Sequence, residues 1–285
     1  MSASPISTRR AAIRTHARDA LRLNLLVTLA TARAYVLRYA SNPIQLLRAP
    51  LSPVLQLAGF VLAYDISGQT SVPANQVIGF LVIGIFMTEA WSATVWGSGN
   101  ALQSERQLGT ISAVIAAPAS TGSIIVGYTL GNLIAFLPSI ATCAVVGIMA
   151  GATFDVASPF AVAIALMTAY ICTFCIGFAF GGLFILSKNS NSLSNFLQTP
   201  IFLLAGFYVP RSVLPSWLQR VSDLIPLSHA ADAMRGALLE GETTRDLSTS
   251  LPAALGTAIV FLIVGVWATS AADRAIRTSG TLDIL

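Results

Sequence analysis

Apolar positions in this chain of 285 residues fall into long, nearly unbroken blocks. They show neither the period of two of a half-buried sheet nor the single stripe of a soluble helix. Blocks near the roughly 20 residues that a helix needs to cross a bilayer run from about Pro43 to Tyr64, Val77 to Gly97, Ile124 to Ala150, Pro159 to Leu186, Leu193 to Val209, and Leu251 to Ser270. The connecting segments carry Gly68 and Pro73, Asp155, and the polar run Lys188 to Asn191. The pattern predicts an all-α integral membrane protein with six transmembrane helices. Pro50, Pro53 and Pro138 should bend the helices that contain them.

Two stretches depart from that rhythm. The apolar run Leu25 to Ala32 is too short to span, and Arg22, Arg33 and Arg38 flank it. It imitates a signal peptide, with Ala30 and Ala32 at cleavage-like spacing, but it reads better as an amphipathic helix lying on an anionic leaflet. Residues 1–18 are expected to be disordered. This gives a 1–42 tail with its interfacial helix, followed by a 43–285 transmembrane domain. The second departure follows Val209. Pro210 stops the apolar run, and Val213, Leu214, Trp217, Leu218, Val221, Leu224 and Ile225 then draw one stripe opposite Ser216, Gln219, Arg220 and Asp223. This predicts a short helix opened by Pro215, lying along the membrane with Trp217 at headgroup depth and ended by Pro226. A second short helix should start with Ser228 as N-cap and stop at Gly241.

Composition agrees with the pattern: 55% of residues are hydrophobic and 10% charged, where a soluble domain carries about 25% charged. The net charge of +4 gives no footprint for nucleic acid, because no basic run with interleaved aromatics accompanies it. Its distribution is more informative. If the six blocks cross in turn, only Arg211, Arg220, Arg235 and Arg245 of the 16 Lys and Arg fall on one side. The basic side is expected to be cytoplasmic, with both termini inside and residues 211–250 outside.

The chemistry-bearing residues are few. A phosphate-binding loop needs a lysine after glycine-rich sequence, whereas Lys188 is the sole lysine and follows Ser187. Neither a nucleotide site nor a catalytic residue is expected here. Cys143, Cys172 and Cys175 lie inside apolar blocks. Cys172 and Cys175 share a helix face with no His, Asp or Glu beside them, so they read as packing residues and no metal site is assigned. His16 and His229 fall outside the blocks, which argues against a membrane-embedded hydrolase. Glu89 is the acid near the middle of a block, where charge is costly and faces a bundle interior or a wet cavity. Either it meets a cationic or polar substrate, or it forms a structural hydrogen bond to Asn132 or to a Ser or Thr on a neighbouring helix. Glu89 and Asn132 are the expected pathway residues. His229 and Asp232, three apart, read as a surface pair. Gly127 with Gly131, Gly147 with Gly151, and Gly177 with Gly181 have the spacing that lets helices approach closely, within one subunit or between two.

Phe202, Gly206, Pro210, Leu214, Pro215, Trp217, Leu218, Pro226, Leu227, Ser228, His229, Asp232 and Arg235 follow one another in an order that resembles the region after the fifth span in permease subunits of type-2 ATP-binding cassette (ABC) exporters. The segment Glu105, Arg106, Gly109, Thr110, Ile111, Ala117 and Pro118 is similar to that family's loop before a short coupling helix. The resemblance is closest to the daunorubicin-resistance-like branch. It implies an outer structural motif of Gly206, Pro210, Pro215, Trp217, Pro226, His229, Asp232 and Arg235. It also implies a coupling surface of Glu105, Arg106, Gly109, Thr110 and Pro118 for a separate cytoplasmic ABC ATPase that binds ATP and Mg. A second permease, identical or related, and membrane lipids would be the other partners, in a bacterial plasma membrane. Gln107 stands where the family commonly has an acid, and the outer turns are short. The cargo would be drug-like, lipid or otherwise amphipathic, with a lipid-linked glycan as the alternative. An ion-coupled secondary transporter is the rival reading, and it would show several midplane carboxylates and paired broken helices.

Overall fold

A computed structural model describes residues 5–67, 73–97, 120–185 and 190–279. Among these residues there are nine α-helices and no strand: α1 (Pro5–Ala40), α2 (Pro43–Ser67), α3 (Ala74–Trp91), α4 (Thr121–Met149), α5 (Pro159–Ile185), α6 (Ser190–Leu204), α7 (Ser216–Ser222), α8 (Pro226–Leu239) and α9 (Ser250–Ser279). A π-helical turn, Ser92–Trp96, prolongs α3. The all-α membrane architecture is as the apolar blocks predict.

The side-chain registers give each helix its direction. On α4, Gly127 faces Thr28 and Thr31 of α1, and Gly131 faces Ala32 and Tyr35. Farther along, Ser139 donates to the Ala49 carbonyl of α2 at 3.3 Å, and Cys143 and Val146 share a small cavity with Pro53 and Leu57. Helices α1 and α2 therefore run the same way along successive parts of α4. Helix α3 runs against them, from Gly79 beside Thr153 to Gly97 beside Asn132. We call the end where α4 begins proximal and the end where α3 begins distal. Helices α5 and α9 both run the way α3 does: Cys172 meets Ala254, and Gly182 meets Ala268, as a parallel pair requires.

Two expectations need correction. Six helices are long and apolar enough to cross a membrane, but Asp19–Ala40 is among them and the block from Leu193 is not. Helix α1 begins at Pro5, which also replaces the expected disorder from that residue on. Its register sets it beside the first turns of α4, proximal to the Gly97–Asn132 contact that closes α3. Helix α2 then continues in the same direction, so α1 and α2 lie along successive parts of α4. The expected fifth span breaks early. Helix α6 ends at Leu204 and the chain turns at Gly206, which has φ +71. Phe207 then packs on Gly84, whose missing side chain leaves room for the Phe207 carbonyl. Gly84 lies ten residues inside α3, so α6 stops about 15 Å short of the distal end by helical rise.

Helices α7 and α8 fill the space above it. The surface helix is shorter than the apolar stripe suggested, although Trp217 is exposed at its edge. Helix α8 starts at Pro226, the first helical position that suits a residue without an N–H, and not behind a Ser228 cap. Ser228 instead accepts from Ser222 Oγ at 3.3 Å, and Ser222 also donates to the Leu204 carbonyl at 2.6 Å. Leu227, Ala230, Ala231, Ala233 and Ala237 of α8 are wholly buried in the main core. A helix this rich in alanine can sit close against α3, α5 and α9. Gly241, with φ +64, ends this segment as expected.

Candidate functional site

A cavity of about 570 Å³ opens on the proximal half of the bundle, lined from five helices. Glu89 and Ser92 come from α3 and its π turn, Asn132 and Ser139 from α4, Tyr35 and Tyr39 from α1, Arg48 from α2, and Gln198 from α6. The two expected pathway residues thus line one wall system. They do not bond to each other. Asn132 Nδ2 donates to the Tyr128 carbonyl of its own helix at 2.9 Å, and its side chain lies flat against Gly97.

Glu89 has partners from α2. Ser52 Oγ and Gln56 Nε2 each donate to Glu89 Oε1 at 2.5 Å, and Gln56 Nε2 also reaches Ser52 Oγ at 3.0 Å. The amide oxygen of Gln56 accepts from Tyr208 OH at 3.1 Å, and that hydroxyl lies 2.6 Å from Thr88 Oγ1. Thr88 closes the chain on the Gly84 carbonyl at 2.9 Å. A polar thread therefore runs from the cavity to the turn that carries Phe207. In an apolar surround such a thread holds only when its members are satisfied. Glu89 Oε2 accepts from no side chain among the described residues and is left to the cavity.

The π turn has a local cause. Thr94 Oγ1 bonds back to the Ala90 and Trp91 carbonyls at 3.0 and 3.3 Å, which competes with the regular ladder. Gly177 leaves the room that Thr94 occupies. Such bulges recur at functional positions, and this one forms the floor of the cavity through Ser92 and Trp96.

Above the cavity the motif residues from Gly206 to Arg235 form a lock. Arg235 Nη2 donates to the Gly206 and Phe207 carbonyls at 2.7 and 3.2 Å, and its guanidinium lies 3.8 Å from the centre of the Phe80 ring. Asp232 accepts from Arg211 at 2.5 Å, and Arg211 also pairs with Asp223. His229 contacts the Asp223 carbonyl at 3.0 Å, so the expected pair of His229 with Asp232 does not form. Pro215 and Pro226 set the starts of α7 and α8, and Pro210 precedes a single 3-10 turn. Beyond this lock, burial and the neighbouring Glu240 push the Glu242 carboxyl above its usual range.

At the proximal end, the start of α4 is held from two sides. The Ser120 N–H donates to Asn24 Oδ1 of α1 at 3.1 Å, while Thr121 donates through both its N–H and its hydroxyl to Asp273 of α9. Ser120 Oγ caps the helix by accepting from the Ser123 N–H at 3.2 Å. The expected coupling residues Glu105, Arg106, Gly109, Thr110 and Pro118 lie outside the described residues. Cys172 points its thiol at the Ala254 carbonyl. No group of His, Cys, Asp or Glu able to hold a metal forms among the described residues.

A model of the ABC-2 type transporter family matches residues 27–239, from within α1 to the end of α8. The chain belongs to the ABC-2 type transporter family. It is also similar to the daunorubicin resistance ABC transporter permease protein DrrB1 of Streptomyces coeruleorubidus, at 22% identity over 196 residues, which is 68% of each chain. The family makes this ABC-2 permease a component of a transport system.

Several residues of the site escaped sequence reading. Gln56 and Thr88 are polar side chains inside apolar blocks, which is a legible signal once Glu89 draws attention to its neighbours. Tyr208 and Gln198 carried no such signal. Asn24 and Asp273 looked like ordinary charges and amides near helix ends.

Proposed function

We propose that this ABC-2 permease forms one half of an export pathway for an amphipathic cargo, driven by a separate ATPase. The observation that carries the reading is the proximal cavity, in which Glu89 and Asn132 from different helices meet among aromatic walls. A half-buried carboxylate inside an apolar helix, with one oxygen left free, is costly to keep unless something polar is to be received there. In this reading the proximal end is cytoplasmic, as the clustering of Lys and Arg suggests, in a bacterial plasma membrane. Glu105, Arg106, Gly109, Thr110 and Pro118 form the docking segment for the ATPase, which binds ATP and Mg. A second copy or a related permease supplies the other half.

The described chain resumes at Ser120 and Thr121, which are held by Asn24 and Asp273. A displacement imposed there would reach α1, α4 and α9 together. Alone, the purified chain should hydrolyse no ATP. Co-expressed with its ATPase and reconstituted, it should move acyl-labelled phosphatidylethanolamine or daunorubicin only when ATP is present. Glu105→Ala with Arg106→Ala should lower transport more than hydrolysis. Transport driven by an ion gradient without any ATPase would overturn the reading.

A further inference from the structure

The cavity holds two opposite charges that do not neutralise each other. Arg48 lines it from α2 with no hydrogen bond or ion pair to a protein group among the described residues, and Glu89 lines it from α3 with Oε2 free. Tyr39 lines the same cavity, and its hydroxyl donates to the Gln45 carbonyl at 3.3 Å. Had the fold needed only charge balance, the two groups would pair directly, as Arg211 and Asp232 do in the distal lock. Instead they face a common space of about 570 Å³, within the 300–1,000 Å³ typical of ligand pockets. Tyr35, Trp96 and Phe136 supply apolar and π surface around that space.

A ligand matching this arrangement carries both charges. A primary ammonium donates to Glu89 Oε2, and a phosphate accepts from the fork of Arg48, each as a charge-assisted contact. We propose that the cavity binds a zwitterionic amphipath of the phosphoethanolamine-lipid type, its headgroup lying between Glu89 and Arg48 and its chains leaving toward the bilayer. A simple cation would leave Arg48 unmatched and repelled, and a simple anion would do the same to Glu89. The inference rests on the cavity being a cargo site, but not on any ATPase.

The test is equilibrium binding to the purified full chain in detergent, with no ATPase present, so that it is separate from the test of export. The probes are dihexanoyl phosphatidylethanolamine, dihexanoyl phosphatidylglycerol, dodecylamine and soluble phosphoethanolamine. The first should bind about tenfold or more tightly than phosphatidylglycerol or dodecylamine, the size of one lost charge-assisted contact, and more tightly than soluble phosphoethanolamine, which lacks the chains. Glu89→Gln should bring the zwitterion down to the phosphatidylglycerol level, and Arg48→Gln should bring it to the dodecylamine level. Thermal unfolding of each variant guards against misfolding, and Trp217→Phe, outside the cavity, should keep the order of the probes. Dodecylamine binding as tightly as the zwitterion, or an Arg48→Gln variant that binds like the parent, would overturn the proposal. Equal competition by soluble phosphoethanolamine would overturn the assignment to a lipid.

Discussion

The distal lock and the proximal cavity of this permease are built on opposite principles. Distally, backbone touches backbone: Gly84 receives the Phe207 carbonyl, α8 buries alanines, and Arg235 is consumed by two carbonyls and a ring. Proximally, five helices leave an open cavity, a π turn interrupts α3, and opposite charges stay apart. Close packing of small residues fixes a structure, because there is no soft side chain to yield. Polar groups around a cavity leave room for water, cargo and movement. On the proposed export reading, the difference assigns the distal lock the part of a stopper, and recognition and motion the cavity side.

The largest effect should come from Gly84→Val. A β-carbon there would lie 1.8 Å from the Phe207 carbonyl oxygen, so the distal turn has to move and the chain should fail to accumulate as a monodisperse protein. Near-parental yield and thermal stability would refute the stopper. Arg235→Leu comes next. It strands two buried carbonyls and leaves Asp232 with Arg211 alone, and should cost about 3 kcal/mol. Arg235→Lys should recover only part of this, since an ammonium cannot reach both carbonyls while covering Phe80. Thermal unfolding in detergent reads both.

Proximal changes should spare folding and alter work. Asp273→Ala removes the acceptor of the Thr121 N–H and hydroxyl, and should lower the ratio of cargo moved to ATP hydrolysed several-fold while the ATPase complex stays intact. Asp273→Asn, which keeps an acceptor, should restore most of the ratio. Equal losses of transport and hydrolysis would show that the contact serves only folding. The smallest stability change belongs to Glu89→Gln, which can keep its bonds to Ser52 and Gln56. Assembly should be unchanged, and the curve of ATPase stimulation against cargo should shift. Curves that match the parent for each cargo would make Glu89 a purely structural residue.

Most helices were legible from apolar blocks, because crossing a bilayer demands length and continuity that few other constraints imitate. Glu89 and Asn132 stood out for the same reason, as polar groups at depth. What sequence could not supply was depth reached by tertiary contact. The run from Ile201 to Val209 is continuously apolar, yet the helix stops at Leu204, because Gly206 turns the chain and Phe207 docks into the gap at Gly84. Likewise, Ser228 has the chemistry of a cap, but Pro226 sets the helix start and leaves Ser228 to bond Ser222. The length and hydropathy of α1 favour a span, and only tertiary contact shows that it lies along the first turns of α4 ahead of α2.

Movement confined to the proximal half can be measured directly. In a variant with Cys143, Cys172 and Cys175 replaced, cysteine pairs at Gln45 with Gln198, which line the cavity from α2 and α6, and at Asn75 with Thr153, which touch through a 3.1 Å hydrogen bond at the distal end, would be joined by bifunctional thiol reagents of graded length. The assembled transporter would be tested without nucleotide and with ATP trapped in the ATPase. The proximal pair should change the reagent length at which it joins, while the distal pair joins equally well in both states. A distal pair that responds to ATP beside a proximal pair that does not would contradict the division of the molecule into a stopper and a moving entrance.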